Sequence, residues 1–241
     1  MAINEYLKRI YGGTAQSYFE RAGKAMLGGG RLFTVTANPE IIMHADRDPK
    51  IKKLLLSPDA EIIPDGISVV KAMEILGLKA SERITGVDLA AHLLKTAGKN
   101  GRSVYLLGAR EEVVSALAEK LRSQYPDITV SFHNGYDGDK DVIFDEIASL
   151  APDLVLVGLG VPAQELLIYR HLPKFTKGVL VGVGGSFDVL SGSKKRAPQV
   201  FVKTNTEWLY RIAREPQRLG RFWNNNVKFL REVRKTRFTG K

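Results

Sequence analysis

The stretch that most restricts the fold is Asp153-Leu154-Val155-Leu156-Val157, followed at once by Gly158-Leu159-Gly160-Val161-Pro162. A near-continuous apolar run of this length suits a strand buried on both faces, as strands are inside a parallel sheet. Residues 32–36, 104–107, 129–132 and 178–181 also read as strands, and Gly108 and Gly182 stand at two of their ends. Between them, apolar residues recur at helical spacing over 40–45, 67–76, 89–96, 111–125 and 141–150, and again from Pro162. Strands alternating with helices, with glycine at the strand exits, predict an α/β fold: a Rossmann-like, mostly parallel sheet with helices on both faces. Such sheets place their chemistry where strands end and helices begin.

Several polar residues fall at those junctions. Ile63-Pro64-Asp65-Gly66 ends one apolar run with a carboxylate just before a helix. The ordinary role for such an Asp is a turn residue or helix N-cap; the alternative is a catalytic acid or base. Thr36 and Asn38 precede Pro39-Glu40, with Asn at a cap position and Pro at the first helical position. A helix start is also a ready anion site, so capping and binding are compatible there. Arg83 is a lone basic loop residue, and Asp88 is read as the N-cap of the helix that follows.

Two glycine-rich exits, Gly158-Leu159-Gly160 and Gly182-Val183-Gly184-Gly185-Ser186, are candidate phosphate cradles, since glycine lets backbone amides approach an anion closely. Neither leads into Gly-Lys-Ser/Thr, so neither is a Walker loop. Gly158-x-Gly160-x-x-Ala163 resembles a dinucleotide fingerprint, but no acid follows at the distance ribose recognition requires, and NAD is rejected. Gln164 opens the next helix, either as an exposed first-turn residue or as a hydrogen-bond donor to a sugar. His44, His92, His133 and His171 are scattered without metal-ligand spacing, and no Gly-x-Ser-x-Gly elbow occurs. Neither metal nor cofactor is expected.

Charge divides the chain. Residues 194–241 hold 14 Lys/Arg against 3 Asp/Glu, whereas the remainder is nearly balanced at 22 against 23. An excess confined to one end calls for an anionic partner there. Residues 207–212 read as a helix interrupted at Glu215-Pro216. A second helix from Pro216 would align Leu219, Phe222/Trp223, Val227, Leu230 and Val233, with Arg218, Arg221, Lys228, Arg231, Arg234 and Lys235 around the rest. A basic amphipathic helix carrying Trp and Phe fits an anionic membrane surface. Docking on the protein's own core or a dimer contact is the alternative, and nucleic acid ranks third because no binding module accompanies the basic residues. The first 30 residues read as two helices and a triple glycine. The expected division is therefore a catalytic core over 1–196 and a basic membrane-docking appendage over 197–241. With no signal-like start, no apolar run of membrane-spanning length and no Cys, a cytoplasmic protein is expected.

Taken in order, Thr36-x-Asn38-Pro39-Glu40, Pro64-Asp65-Gly66, Arg83-x-x-Gly86-x-Asp88, Tyr105-Leu106-Leu107-Gly108, Gly160-x-Pro162-x-Gln164-Glu165, Gly182 to Asp188, Lys195-Arg196-Ala197-Pro198 and Glu207-Trp208-Leu209-Tyr210-Arg211 resemble the motif series of WecG/TagA/CpsF-type bacterial glycosyltransferases. The resemblance spans about 31–233, and residues 1–30 depart from it where a short strand is expected. It implies an inverting, metal-independent transfer of N-acetylmannosamine from a UDP donor to polyprenyl-diphosphate-linked N-acetylglucosamine, at the inner face of the cell membrane. On it, Asp65 is the general base, Thr36 and Asn38 position sugar beside it, and Gln164 contacts substrate. Arg83 meets a diphosphate, Gly108, Gly184 and Gly185 border substrate, and Arg211, Arg218 and Arg221 complete the site from the tail. A homo-oligomer stays open, and a nucleic-acid partner is not expected. The reading from another class is a non-catalytic nucleotide-sugar or nucleic-acid binder that uses the same basic tail.

Overall fold

The computed structural model describes residues 3–79, 82–214, 217, 219–220 and 223–239. Six strands, β1 (Arg31–Ala37), β2 (Ala60–Pro64), β3 (Ser103–Gly108), β4 (Thr129–His133), β5 (Leu154–Gly158) and β6 (Gly178–Gly182), form one sheet. Their order is β2-β1-β6-β5-β3-β4, and every pairing is parallel. The apolar run of β5 behaves as its composition predicts. Val155 and Val157 enter the hydrophobic cluster on one face, Leu154 and Leu156 the cluster on the other.

Helices cover both faces, as expected for this class. On one side lie α1 (Ile3–Lys8), α3 (Pro39–Ala45), α4 (Pro49–Leu56), α5 (Ile67–Ile75), α8 (Lys140–Leu150) and α9 (Ala163–His171). On the other lie α2 (Ala15–Leu27), α6 (Gly86–Lys99), α7 (Glu111–Gln124) and α10 (Ser186–Ser191). The chain thus leaves β1 and β6 toward opposite faces, and likewise β6 and β5, β5 and β3, and β3 and β4. Such divergences at the carboxyl edge are the usual ligand position in open α/β sheets.

Three local readings change. Spacing analysis passes over α4, although Asp48 at its N-cap and Pro49 at its start announce it. Asp88 is not the cap of α6: Thr85 is, its hydroxyl accepting from Asp88 N–H at 3.2 Å and donating to Asp88 Oδ2 at 2.5 Å, a variant of the capping box. The short strand expected near the N-terminus contracts to one parallel bridge, Ile10 to Ile62, between α1 and α2.

The tail continues through α11 (Gln199–Lys203), α12 (Glu207–Arg214), a π-helical turn Trp223–Val227 and α13 (Lys228–Thr239). Its apolar stripe is divided. Phe229 and Val233 of α13 are 0% exposed and share the cluster of α1 and α5, with Leu230 packed against it. Trp223 is 63% exposed, and Leu219 and Val227 also face outward; Phe222 lies outside the described residues. Lys228, Arg231, Arg234 and Lys235 are exposed along α13. Ser68 of α5 donates to Asn226 Oδ1 at 2.7 Å, tying the turn to the core. No helix among the described residues is long and apolar enough to cross a membrane.

Removing a fully buried ring leaves a cavity as well as lost transfer energy. Phe229→Ala is expected to cost about 3–5 kcal/mol in a denaturant titration; an unchanged midpoint would place α13 off the core.

Candidate active site

A cavity of about 380 Å³ sits at the β1/β6 divergence. Thr36, Asn38, Asp65, Arg83, Gln164, Gly184 and Gly185 all line it, so residues scattered over 150 positions of chain converge on one space. Gly108 is not on its wall. It ends β3 with φ +130°, where an added Cβ would lie 2.4 Å from the Gly158 carbonyl oxygen, so glycine there permits close approach of the two strand ends. Arg218 and Arg221 lie outside the described residues, as does the side chain of Arg211.

Each polar wall residue is held by its local fold. Asp65 follows β2, and its N–H extends the ladder to Ala37 C=O at 2.9 Å. It does not cap the helix after it, since Gly66 occupies the N-cap of α5 without a side-chain bond. Instead Oδ2 accepts from Gly86 N–H at 3.2 Å, at the first residue of α6. The N-terminal end of that helix thus faces the carboxylate. Asn38 Oδ1 caps α3, accepting from Ile41 N–H at 3.0 Å. Thr36, buried on β1, donates its hydroxyl to Gly182 C=O at 3.0 Å.

Gln164 is neither an exposed first-turn residue nor a free amide. It is buried, and its Oε1 accepts from Gly160 N–H at 3.1 Å and Gly184 N–H at 3.0 Å, joining the exits of β5 and β6. Two N–H donors on one atom identify it as the oxygen, so Nε2 points to Glu165, donating to Oε1 at 2.7 Å. Glu165 is 0% exposed, and its second oxygen has no partner. Burial raises the carboxyl to about 7, the Gln164 bond partly opposing and the Glu40 charge adding to the rise. Of the second glycine cradle, Gly184 N–H is thus occupied by Gln164, and Ser186 N–H by Val183 C=O.

The tail supplies the remaining wall through Glu207, Trp208, Ile212, Asn225 and Asn226. Arg83 Nη2 donates to Glu207 Oε2 at 2.8 Å, and Glu207 is only 2% exposed. Arg196 grips Asp88 with both ends of its fork, at 2.6 and 2.8 Å, and its Nε stands 3.9 Å from Glu207 Oε1. Burial pushes the Asp88 carboxyl up, but Arg196 and the Thr85 hydroxyl outweigh it and hold the group below the usual range. Sequence reasoning missed Arg196 and Glu207 as site residues. The available signal for Glu207 was an acid within a strongly basic tail.

The exits of β3 and β5 are built differently. Gly135 packs on Gly108 and Ala109, where an added Cβ would lie 3.2 Å from Gly108 Cα and Ala109 N. Asn134 pins this turn, accepting from the N–H groups of Tyr136 and Asp137 at 2.9 Å each and donating to Glu111 and Asp137 carboxylates. Tyr136 is left 76% exposed in this turn. Among the described residues, no three His, Asp or Glu side chains converge as metal ligands.

Fold and cavity together define an α/β protein in which a carboxylate at a helix start shares a tail-closed space with Arg83. Comparison with known proteins narrows this. The glycosyl transferase WecG/TagA/CpsF family model matches residues 7–241. An N-acetylglucosaminyldiphosphoundecaprenol N-acetyl-beta-D-mannosaminyltransferase of Bacillus spizizenii is 40% identical over 187 residues, 77% of this chain and 72% of that protein. The protein with the same name in Staphylococcus aureus is 39% identical over 213 residues, covering 86% and 84%. The chain belongs to the WecG/TagA/CpsF glycosyltransferase family, and the match extends over α2 and the end of α1, which the motif series left out.

Because folding raises the Glu165 carboxyl from 4.5 to about 7, the folded state holds that proton more tightly than the unfolded chain. The resulting stabilisation is complete below the unfolded value and is lost as pH rises through 7. Glu165→Gln is therefore expected to exceed wild-type stability by a few kcal/mol at pH 8, with the gap closing toward pH 5 in thermal melts. A gap independent of pH would refute a buried titrating carboxyl.

Proposed function

We propose that this enzyme transfers N-acetylmannosamine, with inversion, from its UDP donor to N-acetylglucosamine linked through a diphosphate to a polyprenyl lipid. Membership of the family and the printed activity of the relatives in Bacillus spizizenii and Staphylococcus aureus support the reaction. The observation that carries the site is Asp65, on the cavity wall at the start of α6.

In this reading, Asp65 takes the proton of the acceptor hydroxyl as that oxygen attacks the anomeric carbon of the donor. The new C–O bond forms on the face opposite the departing UDP, which leaves with the electron pair of the broken bond, so the anomeric configuration inverts. Negative charge then builds on the leaving diphosphate. Arginines supply the compensating donors: Arg83 uses one N–H for Glu207 and keeps others, and Arg211, Arg218 and Arg221 are proposed to join from the tail. Thr36 and Gln164 act chiefly through their hold on the strand exits, leaving Asn38 Nδ2, the second Gln164 N–H and Gly185 to meet sugar hydroxyls or phosphate.

The donor nucleotide is proposed to lie across the exits of β3 and β5, with Gly108 beneath it and the exposed Tyr136 ring offering a face for the base. Tail residues 197–241 are proposed to hold the enzyme on the inner surface of the membrane. Exposed Leu219, Trp223 and Val227 next to the basic outer side of α13 support that placement.

Asp65→Asn is expected to lower kcat by about 10²–10⁴-fold, the usual contribution of a positioned base, with donor KM little changed. Transfer is measured from UDP-N-acetylmannosamine to a lipid-diphosphate N-acetylglucosamine; near-wild-type turnover would remove Asp65 as the base. Tyr136→Ala is expected to raise KM for the donor several-fold without altering acceptor KM, and an effect on the acceptor alone would move the nucleotide elsewhere.

A further inference from the structure

Beside the reaction cavity lies a second hollow of about 300 Å³, bordered by Glu40, Met43, His44, Arg47, Asn225 and Lys228. Glu40 and Asn225 border both spaces, so the two adjoin. The wall follows from helix periodicity. Glu40, Met43, His44 and Arg47 recur at i, i+3, i+4 and i+7, which puts them on one side of α3 and the turn that continues it. Arg47 N–H closes that turn on His44 C=O at 2.9 Å. Across from them, Asn225 comes from the π-helical turn and Lys228 from the first residue of α13.

The electrostatics of this hollow differ from those of the reaction cavity. There Arg83, the cation among the described lining residues, is engaged with Glu207. Here, among the described residues, the side chains of Arg47, Lys228 and His44 make no hydrogen bond or ion pair. Arg47 and Lys228 face a single carboxylate, Glu40, which sits at the seam between the two spaces. Unpaired cations around a concave polar surface attract an anion and give it charge-assisted hydrogen bonds. Asn225 belongs to the same turn that exposes Trp223 and Val227, so the hollow borders the apolar, outward-facing part of the tail.

We infer that this hollow seats the diphosphate of the lipid-linked acceptor, with Arg47 and Lys228 as its cations and His44 and Asn225 as further donors. The inference rests on the lipid-diphosphate acceptor proposed above. In that acceptor the phosphate lies one sugar ring from the attacked hydroxyl. With the hydroxyl at Asp65, an adjoining hollow is where the phosphate belongs. The prenyl chain then leaves past Trp223 and Val227 toward the bilayer, so one path runs from the base through the sugar and the diphosphate to the lipid. Glu40 at the seam offers an acceptor to sugar hydroxyls.

The test uses the full chain with Arg47→Gln, Lys228→Gln and the double substitution, which remove charge but keep side-chain length. The ligand is a water-soluble short-prenyl diphosphate of N-acetylglucosamine. Its Kd is measured by calorimetry without turnover, and its KM with UDP-N-acetylmannosamine as donor. Each single variant is expected to raise Kd and acceptor KM about tenfold, the equivalent of one charge-assisted contact. Donor KM is expected to stay within about twofold, on the same energy scale, and pelleting with phosphatidylglycerol vesicles to stay at the wild-type level in Arg47→Gln, the substitution that lies outside the tail. Wild-type affinity in the double variant, or no binding of the ligand by the wild type, overturns the inference. So does a shift in donor KM alone, which would assign the hollow to the UDP diphosphate, or a loss of vesicle pelleting alone in Arg47→Gln, which would assign it to phospholipid headgroups. Binding that depends on Arg47 and Lys228 but is followed by no transfer would leave the hollow standing and refute the transferase reading.

Discussion

The structure depends on one constraint: a parallel sheet buried on both faces brings every strand exit to the same edge. Because each strand must be followed by a helix that covers one face, loops that are distant in sequence are gathered along a single line. Where successive connections diverge to opposite faces, the line opens into a crevice. Four neighbouring strand pairs diverge in this way, and the residues singled out above fall at two of them. Asp65, Thr36, Asn38 and Gln164 gather at β1/β6, and Gly108, Gly135 and Tyr136 at β3/β5.

Within that frame, a buried amide sets the shape of the reaction cavity. Gln164 accepts from glycine N–H groups at the ends of both β5 and β6, while Thr36 holds the Gly182 carbonyl from the next strand. Three strand ends are therefore linked by side chains that line the cavity they shape. Gln164 itself is buried, so its amide oxygen would be left unsatisfied at a cost if either glycine N–H moved away, which gives the clamp its stiffness. Glu165 completes the arrangement by fixing the direction of the Gln164 amide, at the expense of keeping an acid where charge is disfavoured.

The tail is joined to this edge by charge and by packing together. Glu207, buried between Arg83 and Arg196, links α12 to the loop before α6, while Phe229 and Val233 insert α13 into the core against α1 and α5. A buried carboxylate between two guanidiniums specifies a position more than it adds net stability; the burial of Phe229 provides the affinity. The segment between these two anchors carries exposed Leu219, Trp223 and Val227. A tail anchored at both ends and apolar at its outer middle can face a lipid surface while still walling the cavity.

Much of this was legible from residue order. Two-sided burial of β5 followed from its uninterrupted apolar run, because only a covered parallel strand can hide every side chain. The class of fold followed from the strand–helix alternation, and the set of strand-exit residues from the motif series. Asn38 as the cap of α3 was likewise evident from Asn-Pro-Glu. What tertiary structure alone decided was who faces whom. Asp65 serves the start of α6, 21 residues away, and not the helix it precedes; no local pattern encodes that. Gly108 proved to serve strand contact, Gln164 to bind backbone, and the tail's single apolar stripe to be split between core and surface. Sequence by itself determined which residues stand at the ends of strands, since periodicity and glycine are local signals. Only the folded chain decided which of those ends share a cavity and which charges they neutralise, because those contacts span more than a hundred residues, as between Arg83 and Glu207.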